Sequence, residues 1–174
     1  MGWRRALRRP DCRRAVISFG LSIDSTTLGV NAYSPIRYQQ FVADNGSHFN
    51  SLVGTVGWGE ETIDSRTYPT KGGIQRAGAE LALPGGNLKF YKLNYQKQEF
   101  IPLSKTFTLS FNGEVGIAGG FGGKDLPFWK NYYAGGIGSV RGYESGTIGP
   151  KEYNTLYGTL DSVGGTRRVV GNAE

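Results

Sequence analysis

Arg141 and Tyr143, with Val140 before and Gly142 between them, are the residues whose types and spacing best suit a recognition chemistry. They end a glycine-rich run, Tyr133-Ala134-Gly135-Gly136-Ile137-Gly138-Ser139-Val140-Arg141-Gly142-Tyr143, which continues through Glu144-Ser145-Gly146-Thr147 to Ile148-Gly149-Pro150. Arginine offers a planar, permanently charged fork of donors. Tyrosine offers an aromatic body with a polar tip. The glycines permit backbone conformations closed to other residues and close packing against a wall. If this run folds into an enclosed space, Arg141 needs carboxylate or carbonyl partners there, because an unpaired buried charge is costly. A second set is Asp64 and Arg66, followed by Pro69 and Gly72, with the composition of a tight turn. Asp64 and Arg66 read as an ion pair or capping pair that rigidifies the turn, with direct contact to a partner as the alternative.

Covalent chemistry finds little support. No nucleophile, histidine and acid form a set. The single histidine, His48, lies in a polar stretch and reads as a solvated loop residue. The single cysteine, Cys12, excludes an internal disulfide and a multi-cysteine metal site. Gly119-Gly120-Phe121-Gly122-Gly123-Lys124 has the look of a phosphate cradle but lacks the required spacing, because Asp125 follows the lysine. The expectation is a non-enzyme without cofactor or metal.

The formal net charge of +6 belongs to the start of the chain. Arg4, Arg5, Arg8, Arg9, Arg13 and Arg14 face only Asp11, and the remainder is close to neutral. Such a run can bind nucleic acid or acidic lipid. No aromatic or motif context supports nucleic-acid recognition. Residues 1–14 therefore read as a disordered or spurious tail, and no nucleic-acid partner is expected. No apolar run of the length a signal peptide needs follows the basic residues. No stretch is long and apolar enough for a transmembrane helix.

The elements that must position the glycine-rich run show a period of two, the signature of a strand. In 107–119, Phe107, Leu109, Phe111, Val115 and Ile117 share one face, and Thr108, Ser110, Asn112 and Glu114 the other. Before it, Tyr91, Leu93, Tyr95 and Ile101 oppose Lys92, Asn94, Gln96 and Gln98. In 73–83, Ala77, Ala79, Leu81 and Leu83 oppose Arg76, Gly78 and Glu80. In 50–63, Leu52, Val56 and Trp58 share a face with Gly54. Near the start, Ile17, Phe19, Leu21 and Ile23 oppose Ser18, Gly20, Ser22 and Asp24. These runs are long enough to cross a bilayer at a tilt, which takes about 9–11 residues. One apolar and one polar face is the pattern of a barrel with lipid outside and water within. A soluble sandwich also alternates, but it does not suit Arg76, Glu80, Lys92 and Glu114 at mid-strand.

The connections are of two kinds. Residues 25–49 form a long one, with a possible helical turn over 35–42, and residues 121–168 a very long one. Residues 65–71, 84–87 and 102–105 are short. Barrels of the outer membrane put their long loops outside, so the strand ending near Gly119 runs outward. Residues 169–174 read as the start of a sixth strand. Five strands and a stub leave two edges unpaired, which a membrane does not tolerate. The expected fold is therefore all-β: antiparallel strands over 15–174 forming part of a transmembrane outer-membrane β-barrel, incomplete and open, a piece of a longer protein.

The run from Leu126-Pro127-Phe128-Trp129-Lys130-Asn131-Tyr132 through Val140-Arg141-Gly142-Tyr143 to Pro150 resembles the long extracellular loop of the BamA family of outer-membrane protein assembly factors. Asp64-Ser65-Arg66 with Pro69-Thr70-Lys71-Gly72 resembles a periplasmic turn of that family. The resemblance covers roughly residues 15–174. It implies a bacterial outer-membrane location and a parent that folds and inserts β-barrel proteins. It also implies three kinds of partner: outer-membrane lipid, unfolded barrel-protein substrates and assembly-complex lipoproteins. Val140, Arg141, Gly142 and Tyr143 would dock inside the lumen against later strands, supported by Tyr133, Gly135, Gly136, Gly149 and Pro150. The acidic partner of Arg141 would then lie beyond Glu174. Phe128, Trp129, Tyr132 and Tyr133 would form an interfacial belt or pack within the loop. Alternatives within the same superfamily are a two-partner secretion pore or a translocation-assembly pore; a passive porin-like barrel is a third.

Overall fold

The computed structural model describes residues 14–31, 34–154 and 158–174. The basic run up to Arg13 lies outside them; Arg14 is the first residue of β1. The strands β1 (Arg14–Thr27), β2 (His48–Glu61), β3 (Gly72–Leu83), β4 (Phe90–Pro102) and β5 (Thr108–Gly120) follow one another as antiparallel neighbours. A short hairpin of β6 (Lys151–Asn154) and β7 (Thr159–Ser162) stands apart, and β8 (Arg167–Ala173) returns to pair with β5. The sheet order is β1-β2-β3-β4-β5-β8, open at β1 and at β8.

The register places the alternating residues in rows. Phe19 lies opposite Val56, Val56 opposite Ala79, Ala79 opposite Leu93 and Leu93 opposite Ile117. This row is one face of the sheet, and Phe19, Val56, Leu93 and Ile117 are all exposed on it. In a membrane it is the lipid face. On the other face, Ser18, Gly57, Gly78, Asn94, Gly116 and Arg168 stand in one row. Three glycines in that row leave a shallow trough across the polar wall. A slip of one residue would put every apolar side chain on the wrong face, so the pattern fixes the pairing.

The buried apolar core sits at one end of the polar face, the end that carries the long connections. Phe49, Val53, Ala82, Leu88 and Phe90 form it, with Leu28, Phe41, Leu126 and Trp129 packed against it. Helix α1 (Ile36–Asn45) covers it. Pro35 precedes its first turn, and the helix stops at Gly46, whose φ of 83° suits glycine and whose N–H reaches the Val42 carbonyl. The helical turn expected over 35–42 is thus a longer helix. Tyr38 and Phe41, three residues apart, share a face that meets Phe128 at ring distances of 3.9 and 5.8 Å.

The sixth strand expected from residue 169 is present: β8, seven residues over Arg167–Ala173, pairs with β5 over its length. Two sequence expectations change. The long connection contains the β6–β7 hairpin, too short and too polar to stand out by alternation. His48 opens β2, where its Nδ1 lies 3.0 Å from the Thr27 hydroxyl, instead of floating in a loop.

Candidate functional site: the inward-folded loop

The described residues of the connection over 121–166 turn back onto the polar face. Its entry is held by aromatic packing. Trp129 lies 5.4 Å from the Phe49 ring and 5.8 Å from Phe41. Phe128 and Trp129 therefore pack in the core between helix and sheet. Tyr133 pairs with Tyr38; burial, and then that hydrogen bond, push the Tyr38 phenol well above its usual range.

Next come polar attachments, one strand after another. Lys130 Nζ lies 3.2 Å from Glu80 of β3. The Tyr132 hydroxyl donates to the Leu93 carbonyl of β4 at 2.8 Å. Lys92 Nζ stands 4.4 Å from the Tyr132 ring centre, and the Arg168 guanidinium 5.3 Å. Arg168 of β8 binds Glu114 of β5 and donates to the Tyr133 carbonyl at 3.0 Å. Tyr132 and Gly165 exchange both backbone hydrogen bonds at 2.8 Å. Tyr132 fits because Gly116 lies beneath it: a Cβ there would stand 2.6 Å from the ring.

Beyond these attachments the loop makes a compact tip. Gly135, Gly136, Gly142 and Gly149 hold left-handed φ values of 112°, 91°, 87° and 132°. The Gly136 N–H donates to the Tyr143 carbonyl at 3.0 Å, closing the turn that carries Val140, Arg141 and Gly142. The Ile148 N–H donates to the Ala134 carbonyl at 3.0 Å. The Pro150 carbonyl receives the Val163 N–H at 3.1 Å, and Asn131 Nδ2 donates to the Val163 carbonyl at 2.8 Å. The tip reaches the opposite end of β8. Asn172 Nδ2 donates to the Ser139 carbonyl at 2.8 Å, and Arg141 Nη2 meets Glu174 Oε1 at 2.8 Å. Arg141 thus has an acidic partner inside the chain, where the resemblance implied one beyond Glu174. The arginine and the glutamate remain 67% and 52% exposed, so the pair is a wet one. A polar cavity of about 110 Å³ lies between tip and wall, lined among others by Gln98, Ser110, Asn112 and Arg141. Tyr143 is exposed on the tip.

The second set of residues lies at the other end of the sheet, in the turn from β2 to β3. Asp64 caps this turn. Its carboxylate accepts from the Thr70 hydroxyl at 2.5 Å, the Thr70 N–H at 2.9 Å and the Lys71 N–H at 3.2 Å. These bonds, the Thr70 hydroxyl first, pull its pKa down to about 2. Arg66 pairs with Glu61 at 2.8 Å, so the two residues serve the turn separately. Pro69 leads into the capped Thr70. Gly72 has a φ of 100°, and a Cβ there would overlap the Thr62 carbonyl, so only glycine fits.

The residues that hold the loop, Glu80, Lys92, Glu114, Tyr132 and Arg168, were not singled out as a group from the sequence. The available signal was charge at mid-strand on the polar face, which marked Glu80, Lys92 and Glu114 but not their partners.

The Omp85 superfamily domain pattern matches residues 3–174. The outer membrane protein assembly factor BamA of Neisseria meningitidis serogroup B is 45% identical over 167 residues, 91% of this chain and 21% of that protein. A SAM50-like protein of Schizosaccharomyces pombe is 32% identical over 112 residues, 61% of this chain and 22% of that one. The crystal structure of BamA from Haemophilus ducreyi lacking POTRA domains 1–3 superposes with a TM-score of 0.77 at 25% identity, over 92% of this chain and 33% of that one. The chain thus spans about a fifth of the length of these curated relatives. With an open antiparallel sheet, a lipid-type face and an inward-folded loop matched along nearly its whole length, the chain belongs to the Omp85 superfamily of outer-membrane β-barrels.

Proposed function

We propose that the chain is the loop-bearing segment of a BamA-type assembly factor, whose full-length parent folds and inserts β-barrel proteins into the bacterial outer membrane. The observation that carries this reading is the 121–166 loop laid along the polar wall, with Arg141 on Glu174 at its far end. The work requires no covalent step. An exposed strand edge of the parent templates an incoming strand by β-augmentation. A locally thinned bilayer lowers the insertion barrier. The apolar row of this segment faces lipid; unfolded barrel proteins and assembly-complex lipoproteins are partners of the parent. The loop is attached to β3, β4, β5 and β8, which stiffens this wall and confines opening to other strands. Val140, Arg141, Gly142 and Tyr143 form the functional turn, with Tyr133, Gly135, Gly136, Gly149 and Pro150 in support. Asp64, Arg66, Pro69 and Gly72 shape a periplasmic turn.

A chimaera tests this. Residues 3–174 replace the matched segment of Neisseria meningitidis BamA, and the resident protein is depleted. The expected result is continued assembly of outer-membrane barrels, read by their heat-modifiable migration, and a decline with Arg141→Ala. A chimaera that is itself heat-modifiable, and hence folded, but assembles no barrels overturns the reading.

A further inference from the structure

The tip of the loop touches the wall through few groups, all polar: the exposed Arg141–Glu174 pair and the part-buried Asn172–Ser139 bond. Its place must therefore be set upstream. Between Tyr133 and the tip lie Gly135 and Gly136, both left-handed and without side chains. Glycine adds little stiffness, so the position of the tip follows from the last point before them that is held to the wall. That point is the Tyr133 carbonyl, and the group that holds it is Arg168.

We propose that Arg168 is the positioning residue of the loop, acting with Glu114 as its counter-charge. The geometry is suited to this role. One Nη group binds Glu114 on the neighbouring strand, and the other reaches the Tyr133 carbonyl, while the guanidinium carbon stands over the Tyr132 ring. The side chains of Arg168 and Glu114 are 22% and 24% exposed, far drier than the Arg141–Glu174 pair. Charge-assisted bonds in a drier setting are stronger than exposed ones. The Nε atom is buried without a hydrogen bond, so the two Nη groups carry the attachment. Glu114 keeps the guanidinium aimed; without it the arginine would turn toward water. Lysine cannot take both contacts, because it lacks the planar fork. Arg168 thus orders the tip without touching it.

Docking can be read directly, without relying on assembly activity. In the full-length protein carrying this segment, with Cys12→Ser, the pair Ser139→Cys and Asn172→Cys reports the tip against β8, where these residues meet at 2.8 Å. Rapid oxidative cross-linking is expected in this reference protein. Arg168→Gln is expected to slow it about tenfold, the scale of a lost charge-assisted contact. Glu114→Gln is expected to slow it several-fold, and the double variant no further than Arg168→Gln alone, as for two residues acting as a unit. Heat-modifiable migration monitors the barrel. Should Arg168→Gln not fold, Arg168→Lys is measured and is expected at an intermediate rate. Cross-linking of Arg168→Gln or of Arg168→Lys at the reference rate overturns the proposal, as do independent, multiplying losses in the double variant. Because the readout is a distance, its failure is distinct from failure of the assembly reading, which the chimaera tests.

Discussion

Gly116→Ala places a methyl group where the loop has its tightest seat. The new Cβ would stand 2.6 Å from Cζ of the Tyr132 ring and 2.7 and 3.0 Å from its two Cε atoms. Gly116 has no left-handed φ, so the backbone itself accepts alanine. The whole effect falls on the ring. It cannot slide freely, because its hydroxyl is fixed to the Leu93 carbonyl at 2.8 Å and Lys92 and Arg168 stand over it. Overpacking of this kind costs about 1–3 kcal/mol. Loss of the hydroxyl bond adds about 1 kcal/mol. A total of about 2–4 kcal/mol moves the docked-to-undocked ratio by about thirtyfold to several hundredfold. Hydrogen exchange of the Tyr132 and Gly165 amides, which are bonded to each other's carbonyls, reads that ratio. Their protection is expected to fall by at least about thirtyfold while strands β2 to β4 keep theirs. On a Tyr132→Ala background the same substitution is expected to cost under about 0.5 kcal/mol, because the clash is gone. Unchanged exchange in Gly116→Ala, or equal costs in both backgrounds, would refute the argument.

Other expectations follow from the same geometry. Trp129→Ala removes packing from Phe49 and Phe41 and is expected to destabilise the loop entry by about 3 kcal/mol, read by denaturant unfolding. Arg141→Ala breaks an exposed pair and is expected to change stability by less than about 1 kcal/mol, so a fall in assembly with an unchanged melting point separates function from folding. Asp64 has its pKa lowered from 3.8 to about 2, so its capping contribution is complete above pH 3.8 and fades as the pH falls toward 2. Exchange of the Thr70 and Lys71 amides is expected to quicken over that window, and Asp64→Asn to abolish the dependence. Gly72→Ala, which combines a left-handed φ with a clash on the Thr62 carbonyl, is expected to destabilise the β2–β3 turn by about 1–3 kcal/mol, read from the temperature at which heat-modifiable migration is lost.

The five long strands and their two faces were legible in the sequence because strand period and side-chain direction are local. Phe19, Val56, Leu93 and Ile117 must share a face once each strand is extended, and keeping that apolar face toward lipid and away from water fixes the register. The turn residues were legible for the same reason: Asp64 and Gly72 serve backbone groups a few residues away. The glycine-rich run was visible as a loop, and its motif pointed to the superfamily. The tertiary structure alone decided what the loop rests on. Arg168 meets Glu114 across 54 positions and Tyr133 across 35, and neither spacing leaves a trace in a linear pattern. Gly116 is one glycine among 28 until Tyr132 is seen above it. The pairing of β8 with β5 is likewise non-local, and it brings Glu174 within reach of Arg141. Local geometry wrote the wall into the sequence, and long-range closure chose which charges hold the loop against it.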